Sequence, residues 1–126
     1  MNTLRILITG LLLISPVAAS EEINQYDGTW HVEMITPKGK TQKGTVLLTN
    51  NEGTWDIVHT KVKNPCKGRP APIVINEAST EILVFVVQKS KALMGCNDFT
   101  VTLKPISETT LEGESNDGRK VTLIKK

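Results

Sequence analysis

Trp30-His31-Val32-Glu33-Met34 alternates apolar and polar side chains at every step. Successive side chains of a strand point to opposite faces, so Trp30, Val32 and Met34 share one face and His31 and Glu33 the other. A helix would put Val32 on the side opposite Trp30 and Met34. Working outward, Tyr26-Asp27-Gly28 is a turn leading in, and Thr36-Pro37-Lys38-Gly39 is a turn leading out, because Pro presets φ and Gly accepts φ > 0.

The same alternation of strand and turn fills the rest of the chain. Residues 44–49 read as a second strand, Asn50-Asn51-Glu52-Gly53 as a hairpin connection and 54–58 as a third strand. Residues 59–72 hold three prolines and no periodicity, which reads as loop. A short strand at 73–75 and a turn at 76–80 lead to a strand at 81–88. That strand contains Ile82-Leu83-Val84-Phe85-Val86-Val87, apolar on both faces. It is expected to be covered on both sides, by a loop or by a second copy in a homodimer. Residues 89–97 read as a second loop. Phe99, Val101 and Leu103 alternate in the next strand, 109–114 pairs onward, and Asn116-Asp117-Gly118 is a hairpin signal before the closing strand of Val121 and Leu123.

Eight short strands and no helix predict an all-β domain. Hairpin-sized connections favour an eight-stranded antiparallel meander barrel, whose closure removes the open sheet edges; a two-sheet β-sandwich is the alternative. Phe85 and Phe99 are expected in the core. Trp30 and Trp55 are core or ligand-stacking candidates.

Residues 1–20 read as a signal peptide. Arg5 supplies charge, Ile6 to Ile14 an apolar core too short to span a membrane, and Val17-Ala18-Ala19-Ser20 a small-residue cleavage site. Residues 21–126 then form one secreted or periplasmic domain, without a membrane span. Loss of the leader removes only Arg5 from 15 Lys+Arg against 13 Asp+Glu, so any electrostatic role rests on charge distribution.

Two cysteines in an exported chain favour a disulfide, Cys66–Cys96. Neither has a second Cys or a His at metal-ligand spacing, so no metal is expected. Each lies in an acid-free basic stretch. Lys61, Lys63, Lys67 and Arg69 surround Cys66, and Lys89 and Lys91 precede Cys96. A bond between the cysteines would gather these six cations as candidate anion-binding residues at one pole of the domain. Lysine outnumbers arginine there, which suits diffuse charge recognition over bidentate pairing. The pole has no interleaved aromatics, so specific nucleic-acid binding is not expected. Glu108, Glu112, Glu114 and Asp117 cluster near the last hairpin and suggest a dipolar charge layout.

Gly28-Thr29-Trp30 near the mature N-terminus resembles the Gly-x-Trp element of the first strand in lipocalins and avidins, which are calycin-like β-barrels. The resemblance implies a buried Trp30 covered by a basic side chain from the last strand, for which Arg119 or Lys120 is the candidate. The chain is short for a lipocalin. It also has no Trp after Trp55, whereas avidin-type biotin pockets are walled by several. The early Gly-x-Trp and the ending Asp117-Gly118-Arg119-Lys120-Val121-Thr122-Leu123 resemble small periplasmic inhibitors of secreted metalloproteases. Those are one-disulfide, eight-stranded barrels whose cysteines lie nearer the N-terminus.

No catalytic motif is present. His31 and His59 lack a nucleophile elbow or a His-Glu-x-x-His around them, and no Gly-rich phosphate loop opens a helix. His31 and Glu33 share one outward face and read as a solvated strand surface. The expectation is a non-catalytic binding protein with no cofactor, whose partner is an anionic ligand or an acidic protein surface. The alternative is an inhibitor of a secreted hydrolase (a protease or lysozyme), acting through a loop or the 21–26 tail.

Overall fold

The computed structural model describes residues 25–58 and 64–126. Residues 1–20, read as a signal peptide, residues 21–24, His59, Lys61 and Lys63 lie outside them. Eight strands follow in order: β1 (Gly28–Ile35), β2 (Thr41–Thr49), β3 (Glu52–Ile57), β4 (Ala71–Ala78), β5 (Leu83–Val87), β6 (Phe99–Pro105), β7 (Thr110–Ser115) and β8 (Lys120–Lys125). Each pairs antiparallel with the next, and β1 pairs with β8, which closes a meander barrel. Closure excludes the sandwich, because no strand keeps an open edge.

The strands obey the period of two found in the sequence. Trp30, Val32 and Met34 point inward with Val46, Leu48, Trp55, Ile73, Phe85, Val101 and Leu123, all essentially without solvent contact. On β5 the inner face is Leu83, Phe85 and Val87, while Val84 and Val86 are half-buried outside. Val86 lies opposite Val74, which is exposed on β4. The six-residue apolar run therefore has one core face and one face on the barrel exterior.

Glycines at inward positions let the strands curl into a small barrel. A Cβ on Gly113 would stand 1.8 Å from the Thr102 carbonyl oxygen, and one on Gly44 would stand 2.1 Å from that of Asp56. Between β2 and β3, Asn50 and Asn51 take φ of 47° and 71°. They form the two-residue turn whose twist matches a hairpin.

Three local expectations are corrected. The strand read at 73–75 is the eight-residue β4, which takes in Pro72. The missing Pro72 N–H is tolerated near the strand's start, while its carbonyl accepts from the Gln88 N–H at 2.8 Å. The strand read at 81–88 is the shorter β5, since the Ser79 hydroxyl accepts the N–H groups of Glu81 and Ile82 in a turn. The stretch read as loop at 89–97 opens with a helical turn, α1 (Lys89–Ala92).

An antiparallel meander puts alternate connections at opposite ends. The β2–β3, β4–β5 and β6–β7 connections share one end with both ends of the barrel sheet. The β1–β2, β3–β4, β5–β6 and β7–β8 connections share the other, which carries the cysteines. The terminal end is sealed by Tyr26, which is 2% exposed. Its hydroxyl donates to the Ser79 carbonyl, and its own carbonyl accepts from Trp30 Nε1 at 3.0 Å. Lys125 Nζ lies 5.2 Å over the Trp30 ring. The basic side chain on Trp30 is thus Lys125, not Arg119 or Lys120. Register explains the correction: Trp30 lies opposite Lys125, whereas Lys120 lies opposite Ile35 at the far end of β1.

Trp30→Ala should cost about 3–5 kcal/mol in chemical denaturation, the range for large buried aromatics. Gly113→Ala should cost about 1–3 kcal/mol, because the new methyl meets backbone that cannot move aside alone. A loss below about 0.5 kcal/mol at Gly113 would show that β6 and β7 shift freely.

Candidate functional site

The disulfide end is built from loops that have no regular ladder of their own. Cys66 and Cys96 are joined, with Cα atoms 5.6 Å apart, so the β3–β4 loop is tied to the β5–β6 loop. Lys89 Nζ also reaches across, 3.5 Å from the Arg69 carbonyl oxygen. In β7–β8, the Arg119 guanidinium grips Asp117 through Nε at 3.0 Å and through its terminal nitrogen at 2.8 Å. The same guanidinium lies 4.5 Å over the Phe99 ring. Phe99 meets Trp55 edge-on at 5.4 Å, and Trp55 lies 6.0 Å from Phe85. A column of stacked groups therefore runs from the Asp117–Arg119 pair into the core.

Between these loops lies an open cleft of about 570 Å³, whose walls include Asn64, Lys67, Lys89, Asn116, Arg119 and the disulfide. Of the cations expected at this pole, Lys67 and Lys89 line the cleft. Arg69 and Lys91 sit at the same end without lining it, and Arg69 Nε turns back to the Pro65 carbonyl at 3.1 Å. Lys61 and Lys63 fall outside the described residues. Trp30 and Trp55 are both core, at 1% and 0% exposure, and neither faces the cleft. Trp55 Nε1 is buried without a hydrogen-bond partner among the described residues.

Sequence reading missed Arg119 as a residue of this end. Lys38 and Lys40 belong to this end as well, because the β1–β2 hairpin lies here too. Strand parity was the available signal: in a meander every second hairpin returns to the same end. Parity also corrects the expected dipole. Asp117 belongs to the basic end, and Asp98 joins it. The acids of the opposite end are Asp27, Glu52, Glu77, Glu81 and Glu108, so an axial charge asymmetry exists, built from different acids.

Two acids lining the cleft, Asp117 and Asp98, accept hydrogen bonds from its own loops. Burial alone would raise the Asp117 carboxyl, but hydrogen bonds from Arg119 and Ser115, with the Arg119 charge, hold it below the ordinary carboxylate range. Asp98 is likewise held low, chiefly by the Ser90 N–H at 2.8 Å. Lys89 is half-buried, and desolvation followed by the nearby Arg119 charge lowers its pKa, against a weaker pull from Asp56. Among the described residues no carboxylate stands within ion-pair distance of Lys89.

A larger shallow hollow of about 730 Å³ lies on the outer face of β6 and β7. Its charges are offset in register, Lys104 opposite Glu112 and Lys120 opposite Glu114, so it attracts neither sign of ligand. Among the described residues no cluster of three or more His, Cys, Asp or Glu is placed to hold a metal ion, and no helix is long and apolar enough to cross a membrane.

No family model matches the chain, and no curated protein matches it. Solved structures similar to it are artificial barrels. A de novo designed fluorescence-activating β-barrel is 19% identical, with 84% of this chain and 98% of that one covered at a TM-score of 0.55. EF1p2_mFAP2b bound to DFHBI is 15% identical, with 85% and 98% covered at 0.53. A redesigned β-barrel, b11L5F_LGL, is 18% identical, with 84% and 96% covered at 0.51. These likenesses are of fold. The eight-stranded barrel is also the coarse architecture of calycin-like proteins.

Two measurements check the construction of this end. Reduction, or Cys66→Ser with Cys96→Ser, should lower stability by up to roughly 3.7 kcal/mol without unravelling the barrel, because the bond acts mainly on the unfolded chain. Non-reducing mass analysis should show two hydrogens fewer than the reduced form. Asp117 ionises more readily folded than unfolded, so its contribution is full above the ordinary Asp value of 3.8 and is lost as pH falls through its lower folded value. Asp117→Asn should therefore flatten the acid limb of a Tm-against-pH curve and leave the region above pH 8 with the wild-type slope.

Proposed function

We propose that this protein is an exported, non-catalytic binding protein that engages an anionic ligand or acidic protein surface with the disulfide end of its barrel. The observation that carries the reading is the partly desolvated Lys89, with no carboxylate of the described residues within ion-pair distance, in a cleft where Asp117 is paired with Arg119 and Asp98 accepts from Ser90. Around it Lys67, Arg69, Lys91, Lys38 and Lys40 extend positive potential over the same end, which favours encounter with anions. The barrel interior is filled by Trp30, Trp55, Phe85 and Met34, so contact is made at the mouth and not within. Residues 1–20 act as a cleaved leader, and export provides the oxidising setting that a structural disulfide needs.

A second reading, inhibition of a secreted hydrolase, draws on Met94. It is 93% exposed at the tip of a turn closed by the Cys96 N–H to Leu93 carbonyl bond, directly beside the disulfide. A rigidly anchored apolar tip ringed by cations is suited to pressing into a partner's pocket.

On heparin resin, Lys67→Gln with Lys91→Gln should elute at clearly lower salt than wild type. Lys104→Gln with Lys126→Gln, which removes the same charge away from the disulfide end, should elute near wild type. Exposed charges are screened within about 8 Å at physiological ionic strength, so retention should fall steeply with salt. Equal loss from both pairs would mean that only total charge is read. Capture of a stoichiometric hydrolase from the secreted fraction, weakened by Met94→Ala and insensitive to the lysine changes, would favour the inhibitor reading.

A further inference from the structure

Two asparagines on the cleft wall have their amides oriented by the backbone they cap. Asn64 Oδ1 accepts from the Cys66 N–H at 2.9 Å, and Asn116 Oδ1 accepts from the Thr100 N–H at 3.0 Å. A backbone N–H can bond only the oxygen of a carboxamide, so each NH2 group is turned away from the segment it caps. No acceptor among the described residues takes these NH2 donors. Lys89 completes the set, since its one hydrogen bond is the long contact to the Arg69 carbonyl. Of the nearby acids, Asp117 is engaged by Arg119 and Ser115 and one oxygen of Asp98 by Ser90, while Asp56 acts on Lys89 from beyond ion-pair distance. This wall therefore holds unused donors from three separate loops.

We propose that Lys89, Asn64 and Asn116 form a seat for a single oxyanion group, a carboxylate, sulfate or phosphate, carried by the ligand. The proposal rests on the reading of the disulfide end as a binding surface and narrows it. Diffuse attraction would use every cation at this end alike, whereas a seat depends on fixed neutral donors. The Cys66–Cys96 bond ties the loop of Asn64 to the loop of Lys89, and the bonds of Asn116 to Thr100 fix the third loop on the same cleft, so less ordering remains to oppose binding. At about 570 Å³ the cleft has room for an organic body attached to the charged group.

The test uses sulfate, phosphate and citrate as probes at constant ionic strength, with affinity read by calorimetry and by amide chemical shifts of the full domain. Asn64→Asp and Asn116→Asp keep the capping oxygen and replace the donor NH2 by an acceptor. Retained Cys66 and Thr100 amide shifts would show that the caps survive. Each change, and Lys89→Gln, should weaken at least one probe by about tenfold, the worth of one charge-assisted hydrogen bond. Asn97→Asp adds the same charge to the same wall at an amide with no such constraint, and should weaken binding by less than about threefold. The ranking of citrate against sulfate and phosphate tells a carboxylate ligand from the other oxyanions. Equal losses at Asn97 and Asn116 would overturn the seat in favour of charge alone. Wild type that binds heparin but none of the probes would overturn the seat and leave the broader reading standing. Binding of neither would remove both. If one variant fails to fold, the other two carry the comparison.

Discussion

Closure of β8 against β1 is the constraint on which the remaining structure depends. Six register pairs, from Trp30 with Lys125 to Ile35 with Lys120, turn a meander into a barrel. With the ring closed, every inward side chain faces others across a short distance, and the apolar faces of eight strands become one core. Without it the first and last strands would present unpaired N–H and C=O groups, and Trp30 would lose both its cover by Lys125 and the plug at Tyr26. A barrel this narrow also demands tight curvature, which explains glycine at inward positions such as Gly44 and Gly113 where a side chain would strike the neighbouring backbone.

Closure makes the two ends chemically unlike. The terminal end is sealed by Tyr26 and the Trp30–Lys125 stack, and its loops are short. The opposite end receives the two long loops, which the disulfide binds to each other where no ladder could. Polar groups there are shared out in a hierarchy. Asp117 and Arg119 satisfy one another over Phe99, Asp98 and Asn116 satisfy backbone N–H groups, and Lys89 is left with only a carbonyl contact. Cations and unpaired polar groups are thus concentrated where the fold is least regular, on loops held by a rigid scaffold.

Much of the architecture was legible because strand periodicity is a local property. Trp30-His31-Val32-Glu33-Met34 and Phe99, Val101, Leu103 state their inward faces directly, and the strand count with hairpin-sized turns pointed to a meander. The short strand at 73–75 was under-read because Pro72 suggested loop, although a proline near a strand's start costs little when its carbonyl still finds a donor in Gln88. The four-residue α1 was invisible because so short a helix has no periodicity to detect. Of the candidate site, the basic stretches around the cysteines were visible, but Arg119 and the amides of Asn64 and Asn116 were not. Arg119 stacks on Phe99 and Asn116 caps Thr100, both far along the chain, and Asn64, which caps the nearby Cys66, shares a cleft with them only through tertiary folding.

The all-β class, the inward and outward faces, the cysteine pair and the local excess of lysine are readable from the chain alone, because each follows from neighbouring residues or composition. Only the tertiary structure decided that the ring closes, that Lys125 and not Arg119 covers Trp30, and that Asp98, Asp117 and Arg119 join the basic loops. Those outcomes depend on register and on which hairpins share an end, and both are set by how eight strands fit around a single core of limited volume.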